Sequence, residues 1–297
     1  MPRALSAALL LVLLGSTAIA FAVTEGLKLE PSPIRSVEVD KVISPTCGCA
    51  TDRASIAFRL RKSDRLTLSV VDANGHEVRM LIDSRARKGR VHAFWNGRDL
   101  FGGVVRDGVY RPRVHLRRQH KTIVLPNPIR VDTKRPAFTS VRIVPHVVPP
   151  TEHAAVVYRL SEPAHVIVRV DGRRAVVGRF ARTSWKLDWH PGEAQPGLYV
   201  LTVVARDLAG NLSAPVRAGK VLVPVRLVAK RVRVAARARF SVRVATNGRP
   251  YRWTLGRRHG KSHAHVLRLV APRVPGRYTL TVEQAHVRSA AAVVVTR

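Results

Sequence analysis

Three kinds of residue are scarce in this 297-residue chain: cysteine, aromatic side chains and acids. Only Cys47 and Cys49 occur, in the stretch TCGCA, which excludes a disulfide framework and leaves the fold to stand on apolar cores. The pair could close a small local disulfide or stay free, and two thiols without further ligands nearby do not make a metal site. Phe, Trp and Tyr make up 5% of the chain against 46% apolar residues, so the cores must be built mainly from Val, Leu, Ile and Ala. Asp and Glu number 19 against 52 Lys and Arg, a net charge of +33. Signatures of common hydrolases are missing as well: no nucleophile elbow, no His-Glu-x-x-His helix and no paired carboxylates in a helix or cleft. No long amphipathic helix and no low-complexity tract appears, and after Val23 no apolar run is long enough to span a bilayer.

What is present begins with a leader. Arg3 precedes an uncharged run from Ala4 to Val23, followed by the small-x-small sites Ala18-Ile19-Ala20 and Ala20-Phe21-Ala22. That is the build of an export signal, and it is also long enough for an uncleaved membrane anchor. Either outcome places the remainder outside the cytoplasm, secreted or held at the outer face of the membrane. Residues 1–23 are therefore read as signal peptide or anchor and 24–36 as a linker.

Period-two alternation runs through the rest. In ASIAFRL, Ile56, Phe58 and Leu60 alternate with Ala57 and Arg59, and in RLTLSVV so do Leu66, Leu68 and Val70. Turn formers at Asp72–Gly75, Asn96-Gly97 and Asp107-Gly108 separate the runs. Seven strands are predicted, near 37–43, 55–61, 65–72, 77–82, 89–95, 108–117 and 121–131, the spacing of an antiparallel sandwich. The pattern then repeats. FRLRKSDRLTLSVVD has a counterpart in YRLSEPAHVIVRVD, and Gly-x-Tyr recurs at Tyr110, Tyr199 and Tyr278, 89 and 79 residues apart. Repetition at that period predicts three tandem domains of one architecture, 37–135, 136–224 and a basic 225–297. The tyrosines, each at a strand start, read as tyrosine corners, and Trp95, Trp185 and Trp189 as packing between sheets.

Residues 53–120 resemble the FlgD-type immunoglobulin-like domain. The likeness is carried by Asp72 to Gly75, by Val78-Arg79-Met80-Leu81, and by Trp95, Gly97, Asp99, Gly102, Val105, Asp107, Gly108 and Tyr110. The second repeat departs from the pattern with WHPGEAQPGLY, and the third keeps only Gly-x-Tyr. The resemblance implies immunoglobulin-like folding and export. No hook-capping N-terminal region is present, so it implies no flagellar role. The fold expected is all-β: three tandem immunoglobulin-like antiparallel β-sandwiches after an N-terminal hydrophobic segment.

The stretch FWNGRDLFGGVVRDGVY (94–110) gathers Asn96, Asp99 and Asp107 around glycines, but not at calcium-loop spacing. A strand follows it instead of the helix that a phosphate loop needs, so it reads as fold. Asp207 and Asn211 in RDLAGN read as a turn. The strongest functional signal is charge: residues 225–297 hold 17 Lys and Arg and one acid, Glu283. GC-rich coding favours Arg, but it does not explain that near-absence of acids. In VRLVAKRVRVAARARFSVRV, Arg231, Arg233, Arg237, Arg239 and Arg243 alternate with apolar residues and are expected to line one sheet face as donors to an anionic polymer. Few aromatics for base stacking, and export, argue against nucleic acid; the partner expected is an anionic polymer of the envelope or another envelope protein. The function expected is non-enzymatic, a structural spacer or binding module at the cell envelope, with no cofactor, metal or catalytic residue. The alternative is an envelope-associated metal-dependent hydrolase with His259, His263 and His265 as ligands.

Overall fold

The computed structural model describes residues 13–19 and 31–297. Most of the expected leader, 1–23, lies outside the described residues; residues 13–19 are helical, and among the described residues no helix is long and apolar enough to cross a membrane. The chain divides into two compact units, one ending at Val131 and lacking 46–52, the other made of Thr46–Asp52 and Asp132–Arg297.

In the first unit the strands are β1 (Ile34–Val39), β2 (Val42–Ile43), β3 (Ala54–Val71), β4 (Glu77–Trp95), β5 (Gly108–Leu116), β6 (Lys121–Val124) and β7 (Ile129–Val131). The sheet order is β1-β3-β5-β7-β2, with β4 on β3 and β6 on β5. All pairings are antiparallel except β2 with β7, where Val42 faces Arg130. Alternation puts Ile56, Phe58, Leu66 and Leu68 of β3 inside, with Trp95, Leu116 and Ile129. Two departures from the expected strands stand out. Strand β1 starts at Ile34, within the expected linker, because Ile34 joins the core. The runs 55–61 and 65–72 fuse into β3, and 77–82 and 89–95 into β4. No Gly, Pro or Asn breaks β3 at 61–64; the chain bends there through a register shift between Leu60 and Asp64.

Asp64 occupies that bend, 1% exposed. Its carboxylate accepts from Arg118 N at 2.9 Å and Gln119 Nε2 at 2.9 Å. Desolvation pushes the carboxyl up, but the bonds from the Arg118 backbone, the Gln119 side chain and the Arg65 and Gln119 backbones outweigh it, holding the pKa below 3.8. A carboxylate with a depressed folded pKa contributes stability above its unfolded value, lost as pH falls through the folded one. Asp64→Asn is therefore expected to lower the thermal midpoint at neutral pH and to flatten its decline below about pH 4, a difference read from melts across a pH series.

The second unit holds two further strand sets. The first comprises β8 (Phe138–Val144), β9 (Ala154–Val170), β10 (Arg173–Val177), β11 (Arg182–Trp189), β12 (Gly197–Asp207) and β13 (Val216–Val223). Its order is β10-β9-β12-β13, with β11 and β8 also on β9. Strand β9 repeats the long, bent form of β3. The last set comprises β14 (Arg226–Leu227), β15 (Arg231–Ala235), β16 (Arg239–Ala245), β17 (Tyr251–Leu255), β18 (Arg258–Ser262), β19 (Val266–Val270), β20 (Gly276–Gln284) and β21 (Val287–Thr296). These form a sandwich of a three-stranded sheet, β14-β16-β19, and a five-stranded one, β15-β21-β20-β17-β18. Each set encloses its own buried cluster.

One device recurs in all three. A short early stretch pairs parallel with the last strand: β2 with β7, Val147 with Leu222, and β15 with β21. The three Gly-x-Tyr tyrosines each donate to the carbonyl four residues back: Tyr110 to Arg106 O at 2.7 Å, Tyr199 to Gln195 O at 2.7 Å, Tyr278 to Val274 O at 2.9 Å. These are the expected tyrosine corners. Desolvation raises the Tyr110 pKa, and the Asp72 and Asp107 charges add to it against Arg106, so the phenol stays a donor. The short early stretch parallel to the last strand, the antiparallel sheets and the tyrosine corner together define immunoglobulin-like sandwiches in tandem.

Candidate functional site

The five arginines singled out by the sequence are all exposed, but they do not line one face. Arg231 and Arg233 stand on β15, in the five-stranded sheet, opposite Ala292 and Val294. Arg239 and Arg243 stand on β16, in the three-stranded sheet, opposite Val270 and Val266. Arg237 sits in the turn that crosses between the sheets, with a positive φ of 61°. That turn is closed by Ala238 N donating to Ala235 O and tied by Ala236 N to Thr296 O. The alternation reads as one continuous stripe because the crossing contains no Gly, Pro or Asn. Two basic faces result, joined round Arg237.

The charge is barely offset. Glu283 accepts from Arg288 Nε at 2.6 Å, and that hydrogen bond holds its carboxyl below the ordinary value against the desolvation that opposes it. Between the sheets, where β19 ends the smaller one and β18 the larger, a cleft of about 670 Å³ opens. Phe240, Trp253 and Leu269 contribute apolar walls, and Arg239, Arg258 and Arg268 line it with charge. Sequence reasoning missed this cleft, because its residues come from four strands and only their pairing brings them together.

The other candidates resolve into structure. Asp99 Oδ1 accepts from Phe101 N and Gly103 N, at 2.9 and 2.8 Å, so the carboxylate staples its own turn. Asp72 does the same for Asn74 N and His76 N. Trp95 is fully buried against Tyr110, its indole donating to Arg98 O at 3.0 Å, and Trp189 packs on Tyr199. Trp185 departs from expectation: it is 51% exposed, and its ring meets the Arg182 guanidinium, 4.2 Å from the ring centre. Cys47 and Cys49 are disulfide-bonded. His259, His263 and His265 are exposed and do not converge. Among the described residues, the one group of three His, Cys, Asp or Glu at metal-ligand spacing is Asp132, Glu162 and Asp207, with ligand atoms within 4.8 Å of one another. These acids come from distant parts of the sequence, so no local motif betrays them. Asp207 already accepts from Asn211 N and Nδ2, both at 2.8 Å, and Asp132 from Lys134 N at 3.2 Å. Two of the three carboxylates thus hold turns, as Asp72 and Asp99 do.

No family model matches the chain, and no curated protein sequence matches it. Solved structures similar to it include the fibronectin(III)-like modules of Clostridium thermocellum CbhA, at 16% identity over 63% of this chain and 94% of that one, TM-score 0.36. A three-domain immunoglobulin segment of titin is 10% identical over 90% of this chain and 99% of its own, TM-score 0.32. The mouse nectin-like molecule 4 ectodomain is 16% identical over 86% and 96%, TM-score 0.26. Likenesses this loose carry nothing beyond the fold, and the fold itself rests on the strand pairing described above. The class is an immunoglobulin-like β-sandwich chain; the FlgD-type resemblance of residues 53–120 stands on its motifs alone.

Proposed function

We propose that the protein is a non-enzymatic, extracytoplasmic binding module that contacts anionic polymers of the cell envelope through its C-terminal sandwich. The observation that carries this reading is the charge of residues 225–297: 17 basic side chains against a single acid, itself bonded to Arg288. Such a surface draws polyanions and holds them through guanidinium contacts. The leader in the sequence supplies the export, and the FlgD-type likeness of the first sandwich agrees with it. A metal-dependent hydrolase finds no support in the exposed, dispersed histidines.

The test is a binding series on the full chain with purified anionic envelope polymers, a neutral polymer and duplex DNA, from low to high salt. Binding to the envelope polymers that weakens steeply with salt, over about a Debye length of contact, is the expected result. Equal affinity for DNA and every other polyanion would leave a mere charge effect, and no binding at low salt would reduce the protein to a spacer.

A further inference from the structure

The geometry points to the cleft between β19 and the β17–β18 edge as a site for a sugar ring bearing an anionic group, the unit that an acidic glycan presents. This rests on the polyanion reading above and narrows it to one polymer chemistry and one place.

A flat basic surface is enough to hold a plain polyanion. The cleft offers something that such a ligand does not use: an indole in an arginine-lined hollow. Its charged lining is Arg239, Arg258 and Arg268, with no acid among the residues that form it. Its volume falls in the range of small-ligand pockets, which pair apolar walls with a few placed polar groups. Trp253 differs from Trp95 in the way that matters for binding. Trp95 is fully buried and its indole N–H is spent on Arg98 O. Trp253 is half-buried and stands in the lining of the cleft.

The strand pairing sets the ring in place. Trp253 faces Gly260 across the β17–β18 pair. A Cβ on Gly260 would come within 2.9 Å of Trp253 Nε1 and 3.0 Å of Cε2 and Cζ2, so the bare glycine is what lets the indole lie against the neighbouring strand. Arg258 is also held: its Nη1 donates to Val270 O at 3.1 Å, tying the guanidinium from one sheet to the other. An aromatic face beside three guanidinium groups, the one of Arg258 held in place, suits a pyranose with a carboxylate or phosphate, the ring stacking while the anion takes paired N–H donors. Groups already held in place lose less freedom on binding.

The experiment titrates the full chain with an oligouronate, a phosphorylated oligosaccharide, a neutral oligosaccharide of equal length and inorganic polyphosphate. It uses Trp253→Leu, Trp253→Phe, Arg268→Gln and the paired Arg231→Gln and Arg233→Gln, each with its thermal midpoint. Trp253→Leu is expected to weaken one or both anionic sugars about ten-fold or more, with polyphosphate held within about two-fold. Trp253→Phe keeps an aromatic face and recovers most of the loss, and Arg268→Gln, an exposed residue of the same lining, covers the case in which the leucine variant fails to fold. Arg268→Gln weakens the anionic sugars more than the paired change at Arg231 and Arg233 does, and the neutral sugar binds poorly throughout. The relative affinity of uronate and phosphate identifies the anion. The inference is overturned if a folded Trp253→Leu protein binds anionic sugars and polyphosphate with unchanged preference, if Arg268→Gln weakens the anionic sugars no more than the paired change at Arg231 and Arg233 does, or if polyphosphate binds while neither sugar does. Failure of all anionic ligands to bind the parent protein would overturn the polyanion reading itself, and this inference with it.

Discussion

Trp95→Ala is expected to destabilise the first sandwich by about 3–5 kcal/mol, the usual cost of emptying a large core site. The side chain is fully buried, sits 5.1 Å from the Tyr110 ring, and donates to Arg98 O. Truncation removes all three at once: the buried area, the tilted ring pair, and the bond that anchors the turn after β4. Domain stabilities are of order 5–15 kcal/mol, so the loss is a large share of the total. Trp185→Ala is the matched control. Its ring is half exposed and its main partner is Arg182, so its removal is expected to cost about 1 kcal/mol or less. Chemical denaturation of the two variants beside the parent decides the matter. Equal losses would mean that the two tryptophans have been given the wrong environments.

Gly210→Ala has the second large effect, in the second unit. Gly210 holds a φ of 97°, a conformation that side chains rarely adopt. A Cβ there would overlap Cys49 Sγ and come within 2.6 Å of Thr51 Oγ1. The disulfide-closed segment around Cys47 and Cys49 therefore packs directly on the RDLAGN turn, where Thr51 also donates to Ala209 O. Left-handed strain at about 1–2 kcal/mol and overpacking at about 1–3 kcal/mol together predict a loss of roughly 2–5 kcal/mol. Gly75→Ala separates the two causes: its φ is 84°, but open space surrounds it, so only the strain contributes. Denaturation midpoints should rank Gly210→Ala well below Gly75→Ala. A reversed order would deny the contact between the disulfide segment and the turn.

Much of this architecture is legible in the residues, and for physical reasons. Side chains alternate along β3 because one face is buried, so Ile56, Phe58, Leu66 and Leu68 announce themselves. The tyrosine corners are legible because a hydroxyl reaching its own i−4 carbonyl needs only local geometry. What stays hidden has no local signal. Residues 61–64 are polar and look like a loop, yet they carry β3 through its bend because Asp64 finds its donors at Arg118 and Gln119, more than fifty residues away. The crossing at Arg237 has none of the usual turn formers, so two basic faces read as one. Alternation places Trp185 on the side of Leu187 and Trp189, but cannot say that its ring stays half exposed against Arg182. The cleft around Trp253 depends on the pairing of that residue with Gly260, and the convergence of Asp132, Glu162 and Asp207 on three separate parts of the chain.

Whether binding belongs to the C-terminal sandwich or to net charge alone is settled by removing equal charge from two places. One variant carries Gln at Arg231, Arg233, Arg237, Arg239 and Arg243; the other carries Gln at the exposed Arg59, Lys62, Arg65, Arg85 and Lys88 of the first sandwich. Both are compared with the parent for affinity towards an anionic envelope polymer at physiological salt. Five exposed contacts at about 0.3–1 kcal/mol each predict a loss of at least about ten-fold for the C-terminal variant, and a change within about three-fold for the other. Equal losses in both would contradict a C-terminal binding site and leave only the overall charge of the chain.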